Sequence, residues 1–206
     1  MVGFPSPFGG GGDDELFDEY GEFEPDHLPE PGAFLDGHGV LAGDDHVAFH
    51  RISRDVFEER KVYDMTFNYN LARLNLDTRH ANAGFRYAEE ADDPSVLRAE
   101  FTPTTPFCPQ THTLTIGAFR AWNGLSDRHD YDLVRVRAAE MHHQSDGIND
   151  RLRELDEQYL ETGSVTHVPE GETDPDQVGP GLTGSESGGG TDADDGASRR
   201  SPEAPF

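Results

Sequence analysis

The sequence is poor in the residues that most often declare a protein's chemistry. Cysteine occurs once in 206 residues, as Cys108. A single thiol excludes an intramolecular disulfide framework and any all-cysteine zinc site built by one chain. Lysine also occurs once, as Lys61, so arginine supplies the other positive side chains. Lys and Arg together number 16 against 41 acids, a net charge of −25. Nucleic-acid binders work by neutralising phosphates, so this balance argues against nucleic acid as a partner. No apolar run reaches the roughly 18 residues that a membrane-spanning helix requires, so no membrane partner is expected. The first residues show neither a charged region nor an apolar stretch, so no secretory leader is expected. The expected compartment is a reducing cytoplasm.

The charge is unevenly spread. Residues 1–46 hold 12 acids and no base, and residues 161–206 hold 10 acids against Arg199 and Arg200. Twenty of the 25 net negative charges therefore sit at the two ends. Both ends are also rich in Gly, Pro and Ser, from Gly9–Gly12 to Gly188–Gly190. Such stretches bury too little apolar surface to offset roughly 1–2 kcal/mol per residue of backbone ordering, so two disordered acidic tails are expected. The aromatic–acidic alternation at Phe17, Tyr20 and Phe23 reads either as a short docking motif or as part of a solvated leader. Acid-rich, lysine-poor composition also suits a salt-saturated cytoplasm, where screening shortens to about 3 Å at 1 M, although GC-rich coding favours arginine as well.

Residues 47–160 form the expected domain. No Gly or Pro occurs between 47 and 82, and Ile52, Val56, Tyr63, Phe67, Leu71 and Leu74 make an amphipathic stripe. That spacing predicts helix within 52–76. Alternation at Phe85 and Tyr87, a polar turn over Glu89–Pro94, and alternation at Leu97, Ala99 and Phe101 predict a β-hairpin. Leu114, Ala118, Ala121, Trp122 and Leu125 predict a second helix stopped by Asn123-Gly124, with Pro109 at its first position and Cys108 at or near its N-cap. Tyr131–Ala138 reads as a strand. Ile148, Leu152, Leu155 and Tyr159 mark a last helix capped by Ser145 or Asp146. The order helix, hairpin, helix, strand, helix predicts a small α/β (α+β) domain, a short mixed sheet packed by helices.

The proline-rich run Thr102-Pro103-Thr104-Thr105-Pro106-Phe107-Cys108-Pro109 is incompatible with regular structure. A cysteine presented there, close to a helix N-terminus, would favour the thiolate and suit a nucleophile or a soft-metal ligand. It would equally suit a small buried hydrophobe. His142 and His143 are its natural partners if the loop after the strand turns back, and otherwise are ordinary loop residues. Weaker signals point elsewhere. Asp127, Asp130 and Asp132 lack the Gly and Glu of a calcium loop, and Gly9–Gly12 opens no phosphate-binding turn. Arg98, Arg135 and Arg137 would share one sheet face, with salt bridges to acidic neighbours as the expected outcome, and Trp122 reads as core.

Residues Glu100–Cys108 resemble the FTPT-x-P-x-C loop of the cytosolic iron–sulfur assembly targeting family, which includes SufT-like and PaaD-like proteins. The likeness runs over 98–152: a helix with Ile116-Gly117, a short loop, a strand, then His142, Ser145, Ile148, Asn149 and Leu152. The family's DPE-x-P turn is absent, and Glu140-Met141 stands where it has Gly-Thr. The resemblance implies a small α/β fold and a role in maturing iron–sulfur proteins as adaptor or carrier rather than as an enzyme. It places the functional loop at Thr104, Thr105 and Cys108, metal ligation at Cys108 with His142, and secondary roles at His143, Ser145 and Asn149. Iron or an iron–sulfur cluster is then the expected cargo. It would be held transiently or bridge two chains of a homodimer, and would be exchanged with client apoproteins or assembly proteins. Two other functions fit the residues: an interaction module with a structural cysteine, and a Cys–His thiol enzyme.

Overall fold

The computed structural model describes residues 16–19 and 23–165. The expected tails over 1–15 and 166–206 lie outside the described residues, as does Tyr20. Nine elements of regular structure follow in chain order: β1 (Gly39–Val40), α1 (Gly43–Arg60), β2 (Tyr63–Asp64), β3 (Tyr69–Asn70), β4 (Gly84–Glu90), β5 (Asp93–Thr102), α2 (Thr111–Gly124), β6 (Leu133–Ala138) and α3 (Ser145–Thr162). Short 3-10 turns link several of them. The fold is mixed α+β, as the periodicities predict. Its main sheet has the order β1-β4-β5-β6, antiparallel except for the parallel β5–β6 pair, which the crossover through α2 joins.

Alternation decides which sheet face is dry. Phe85, Tyr87, Leu97, Ala99, Phe101, Val134 and Val136 point to one side and are buried. Helices α1 and α2 cover that side with Val56, Phe57, Ala118 and Trp122. The Trp122 ring lies 4.8 Å from Phe57 and 5.2 Å from Phe85, so it is core, as its place in the helical stripe predicts. Deleting such a ring would cost about 3–5 kcal/mol.

The helix expected within 52–76 starts before that stretch, at Gly43. It ends at Arg60, because Lys61 turns left-handed at φ 58° and its N–H returns to the Phe57 carbonyl. A small hairpin of β2 and β3 follows, in which Asp64 Oδ1 accepts the N–H groups of Thr66 and Phe67 and Asn68 takes φ 56°. The stripe runs past the end of α1 because Leu71 and Leu74 are buried in a separate 3-10 helix over residues 71–76. The last helix runs over Ser145–Thr162. Its N-cap is Gln144, and neither Ser145 nor Asp146 caps it.

The expected tail boundary at 46/47 falls inside α1, and residues 23–41 form a strap bound to the domain. The strap has no periodicity to reveal it; buried leucines, backbone hydrogen bonds and side-chain-to-backbone contacts hold it. Leu28 and Leu35 are buried, and the Asn82 and Leu41 N–H groups bond to the His27 and Tyr87 carbonyls respectively. The buried Glu100 carboxylate accepts the Gly32 N–H at 2.7 Å, and burial pushes its pKa up against that bond. A Cβ at residue 32 would overlap the same carboxylate, so glycine is required there for space. Phe17 and Phe23 also turn inward, Phe17 edge-on to Tyr69 and Phe23 edge-on to His46 and His50.

Under the strap lies a buried polar cluster. His50 donates from Nε2 to the Ala72 carbonyl at 2.9 Å, and its Nδ1 lies 3.1 Å from the Tyr87 hydroxyl. Ser53 receives Trp122 Nε1–H and donates to the Phe49 carbonyl. His46 is 1% exposed and stacks on His50, yet neither of its ring nitrogens has a hydrogen-bond partner among the described residues.

Burial, with neighbouring positive charge, lowers His46 from its ordinary 6.5 to about 3, and burial lowers His50 to about 4. Both rings are neutral in the fold, so their share of stability is complete above 6.5 and is lost as pH falls from there toward 4 and 3. Urea unfolding across pH 7 to 4 will show this loss, and His46→Phe will reduce it while raising stability at pH 7 by removing unpartnered nitrogens. Identical pH profiles for the two proteins would contradict this. Gly32→Ala will cost about 1–3 kcal/mol and open residues 23–41 to limited proteolysis. Unchanged cleavage would show that Glu100 does not hold the strap.

Candidate functional site

The Cys108 loop begins where β5 ends. Pro103, Pro106 and Pro109 lack backbone N–H groups, so the loop can satisfy few of its own carbonyls. One internal bond closes it, from the Cys108 N–H to the Thr105 carbonyl at 3.3 Å. Thr104 is part-buried and Thr105 is exposed. The remaining donors come from the loop between β6 and α3. His142 Nε2 lies 3.0 Å from the Cys108 carbonyl, and the N–H and Nδ1 of His143 both reach the Pro106 carbonyl, at 3.0 and 2.8 Å.

These contacts define the tautomers. A carbonyl can only accept, so His142 carries its proton on Nε2. Its Nδ1 then accepts the Gln144 N–H at 3.2 Å. His142 is 2% exposed and has both nitrogens engaged. The sequence suggests it as a ligand beside the thiol; the structure uses it as a brace for the loop. That geometry also leaves no nitrogen of His142 to act as a base for Cys108. His143 is exposed, and its donating Nδ1 leaves Nε2 without a partner among the described residues.

Cys108 itself is part-buried at the surface rather than packed in the core. It sits two residues before Gln110, the N-cap of α2, so Pro109 precedes the helix instead of opening it. The Thr111 N–H bonds to the Cys108 carbonyl at 3.3 Å, so the helix start grips the backbone of the cysteine. Phe107 beside it is 70% exposed, with its ring 4.9 Å from that of His143.

Two of the secondary candidates, Asn149 and Ser145, hold backbone in place. Asn149 clamps both backbone polar atoms of Ala138, accepting its N–H at 2.8 Å and donating to its carbonyl at 2.9 Å. Asn123 does the same to Val134. Strand β6 is last in the sheet order, so these amides occupy its unpaired edge. Ser145 is buried and returns its N–H to the His142 carbonyl at 3.0 Å. Both therefore position the loop that carries the histidines. Among the described residues no group of three or more His, Cys, Asp or Glu converges as a metal site.

The arginine stripe forms as expected and is paired. Arg98 binds Glu90 at 2.7 Å, Arg135 lies 3.4 Å from the same carboxylate, and Arg137 binds the buried Asp156 at 2.6 Å. Burial pushes Asp156 up and Arg137 down, while their mutual attraction opposes both shifts. The three arginines and Asp156 line an open cleft of about 460 Å3 beside Phe34 and Leu160. Its mixture of four arginines with Glu100, Glu140, Asp156 and Glu157 leaves no net positive field for an anion.

His142→Ala will free the Cys108 carbonyl and remove a buried ring, costing about 1–3 kcal/mol and speeding amide hydrogen exchange at Cys108 and Thr111. His143→Ala, at an exposed ring, will have the smaller effect. Unaltered exchange in His142→Ala would show that the loop is held by other means.

A family model, Domain of unknown function (DUF7998), matches residues 15–166. Comparisons with curated proteins and with solved structures give no match. The matched span takes in the strap as well as the helices and sheet, in keeping with a strap that is part of the domain. With about three quarters of its length inside that match, the chain belongs to the DUF7998 family.

Proposed function

We propose that this protein is an iron–sulfur assembly factor acting as an adaptor or transient carrier, with Cys108 as its functional residue. The observation that carries the reading is the bracing of the loop: two adjacent histidines hold the carbonyls of Pro106 and Cys108, so a surface thiol is kept in one place. A soft thiolate suits iron, and rigid presentation shortens the search for a client's acceptor site. The FTPT-x-P-x-C resemblance and the order helix, hairpin, helix, strand, helix support the same reading.

Iron or a nascent cluster is cargo here. One chain offers the Cys108 thiol and the outer nitrogen of His143, with His142 committed to the loop. Two donors leave coordination positions for a client's ligands, which suits transfer better than storage. The partners are client iron–sulfur apoproteins or assembly proteins in a reducing cytoplasm.

Anaerobic reconstitution of the full chain with ferrous iron and sulfide tests the carrier role. Wild type will retain iron after desalting, and Cys108→Ala will retain at most about a tenth as much. His142→Ala will still load, because its ring is a brace and not a ligand. Equal iron in wild type and Cys108→Ala would end the carrier reading.

A further inference from the structure

We infer that the surface around Cys108 is a docking face for an apolar protein segment flanked by lysine or arginine. The inference deepens the adaptor reading and rests on it for the loop's purpose, while its chemistry comes from the surface itself.

Large hydrophobic side chains are rarely exposed among the described residues, and three of the four such residues there sit on segments that touch one another. Met65 is 74% exposed, Phe107 70% and Met141 42%; the fourth, Leu160, is near the end of α3. Hydrogen bonds join the three segments. The Met65 N–H donates to Gln110 Oε1 at 3.0 Å, and Gln110 Nε2 donates to the Thr66 hydroxyl, fastening the β2–β3 hairpin to the start of α2. His142 and His143 fasten the Met141 loop to Pro106 and Cys108. Apolar side chains held out on braced loops are what a binding surface needs and what a lone soluble domain avoids.

Charge selects the occupant. Residues 101–119 contain no Asp, Glu, Lys or Arg. Neither 62–72 nor 138–150 contains Lys or Arg, and these segments carry Asp64, Glu140, Asp146 and Asp150. Glu140, Asp146 and Asp150 are exposed. The patch therefore has an uncharged apolar centre, and the exposed charges bordering it within its segments are acidic, with Asp150 paired to Arg153. Lys61, Arg73 and Arg120 flank those segments in sequence, on a chain of net charge −25. An acidic partner, or a second copy of this chain, meets like charge at that border. A segment with aliphatic or aromatic residues between basic ones meets an apolar centre and opposite charge at its rim.

The test is selection of a displayed random peptide library on the full chain, followed by fluorescence anisotropy on the synthesised winners. The expected winners carry Leu, Ile, Met, Phe or Trp between Lys or Arg. Phe107→Ser with Met141→Ser will weaken them at least about tenfold, and Met65→Ser, on a separate hairpin, will weaken them independently. Glu140→Lys with Asp146→Lys will shift preference toward acidic flanks. Leu160→Ser will change affinity less than about twofold. These side chains are exposed, and thermal melts of each variant check that the fold is kept. Winners with acidic flanks, winners indifferent to both apolar variants, or an absence of winners would overturn the inference. Loss of iron loading in Cys108→Ala with peptide binding intact separates this surface from the carrier role.

Discussion

Two imidazoles bonded to the carbonyls of one proline-rich loop are the contact on which the shape of the Cys108 surface depends. Three prolines remove the N–H groups with which the loop could satisfy itself, and that constraint passes the task to neighbours. His142 and His143, on the loop after β6, supply donors to Cys108 and Pro106. The same contact explains why Asn149 and Ser145 matter. Asn149 seats the end of β6 and Ser145 closes the turn before α3, so the histidines arrive at a defined height against the cysteine loop.

Side chains serving irregular backbone recur through the fold. Asn75 clamps Phe85 as Asn123 clamps Val134 and Asn149 clamps Ala138, each taking an N–H and a carbonyl of one residue. Gly84 next to Asn75 has φ 115°, and a Cβ there would overlap the amide. Glu100 plays the corresponding role for the strap. Buried polar groups of this kind cost about 1–3 kcal/mol when left unpartnered, so each clamp defends a place where ladders and helices run out. His46 is one exception, a buried ring whose two nitrogens both stay unpartnered among the described residues.

What was legible in the sequence follows from the same physics. Period-two alternation located the hairpin and β6, and period 3.6 located α2 and α3, because those elements bury one face against a common core. The proline run marked the cysteine loop, and the paired histidines marked its neighbour. The strap was invisible: Leu28, Leu35 and Gly32 are held by single contacts with no repeat, inside a stretch whose acidity and prolines suggest disorder. The end of α1 was hidden because Lys61 and Asn68 take left-handed conformations that sequence ordinarily assigns to glycine. The role of His142 needed coordinates, since a ligand and a brace have the same residue type and differ only in where each nitrogen points.

The domain thus joins an acidic, well-satisfied body to one small uncharged surface with a thiol at its centre. Everything proposed for that surface assumes that His142 belongs to the scaffold. The most direct measurement is the long-range proton–nitrogen correlation spectrum of the His142 ring in the full chain at neutral pH, before and after ferrous iron is added anaerobically. The account predicts one neutral tautomer with its proton on Nε2, unchanged by iron. A proton on Nδ1, a doubly protonated ring, or broadening of the His142 nitrogens by iron would contradict it.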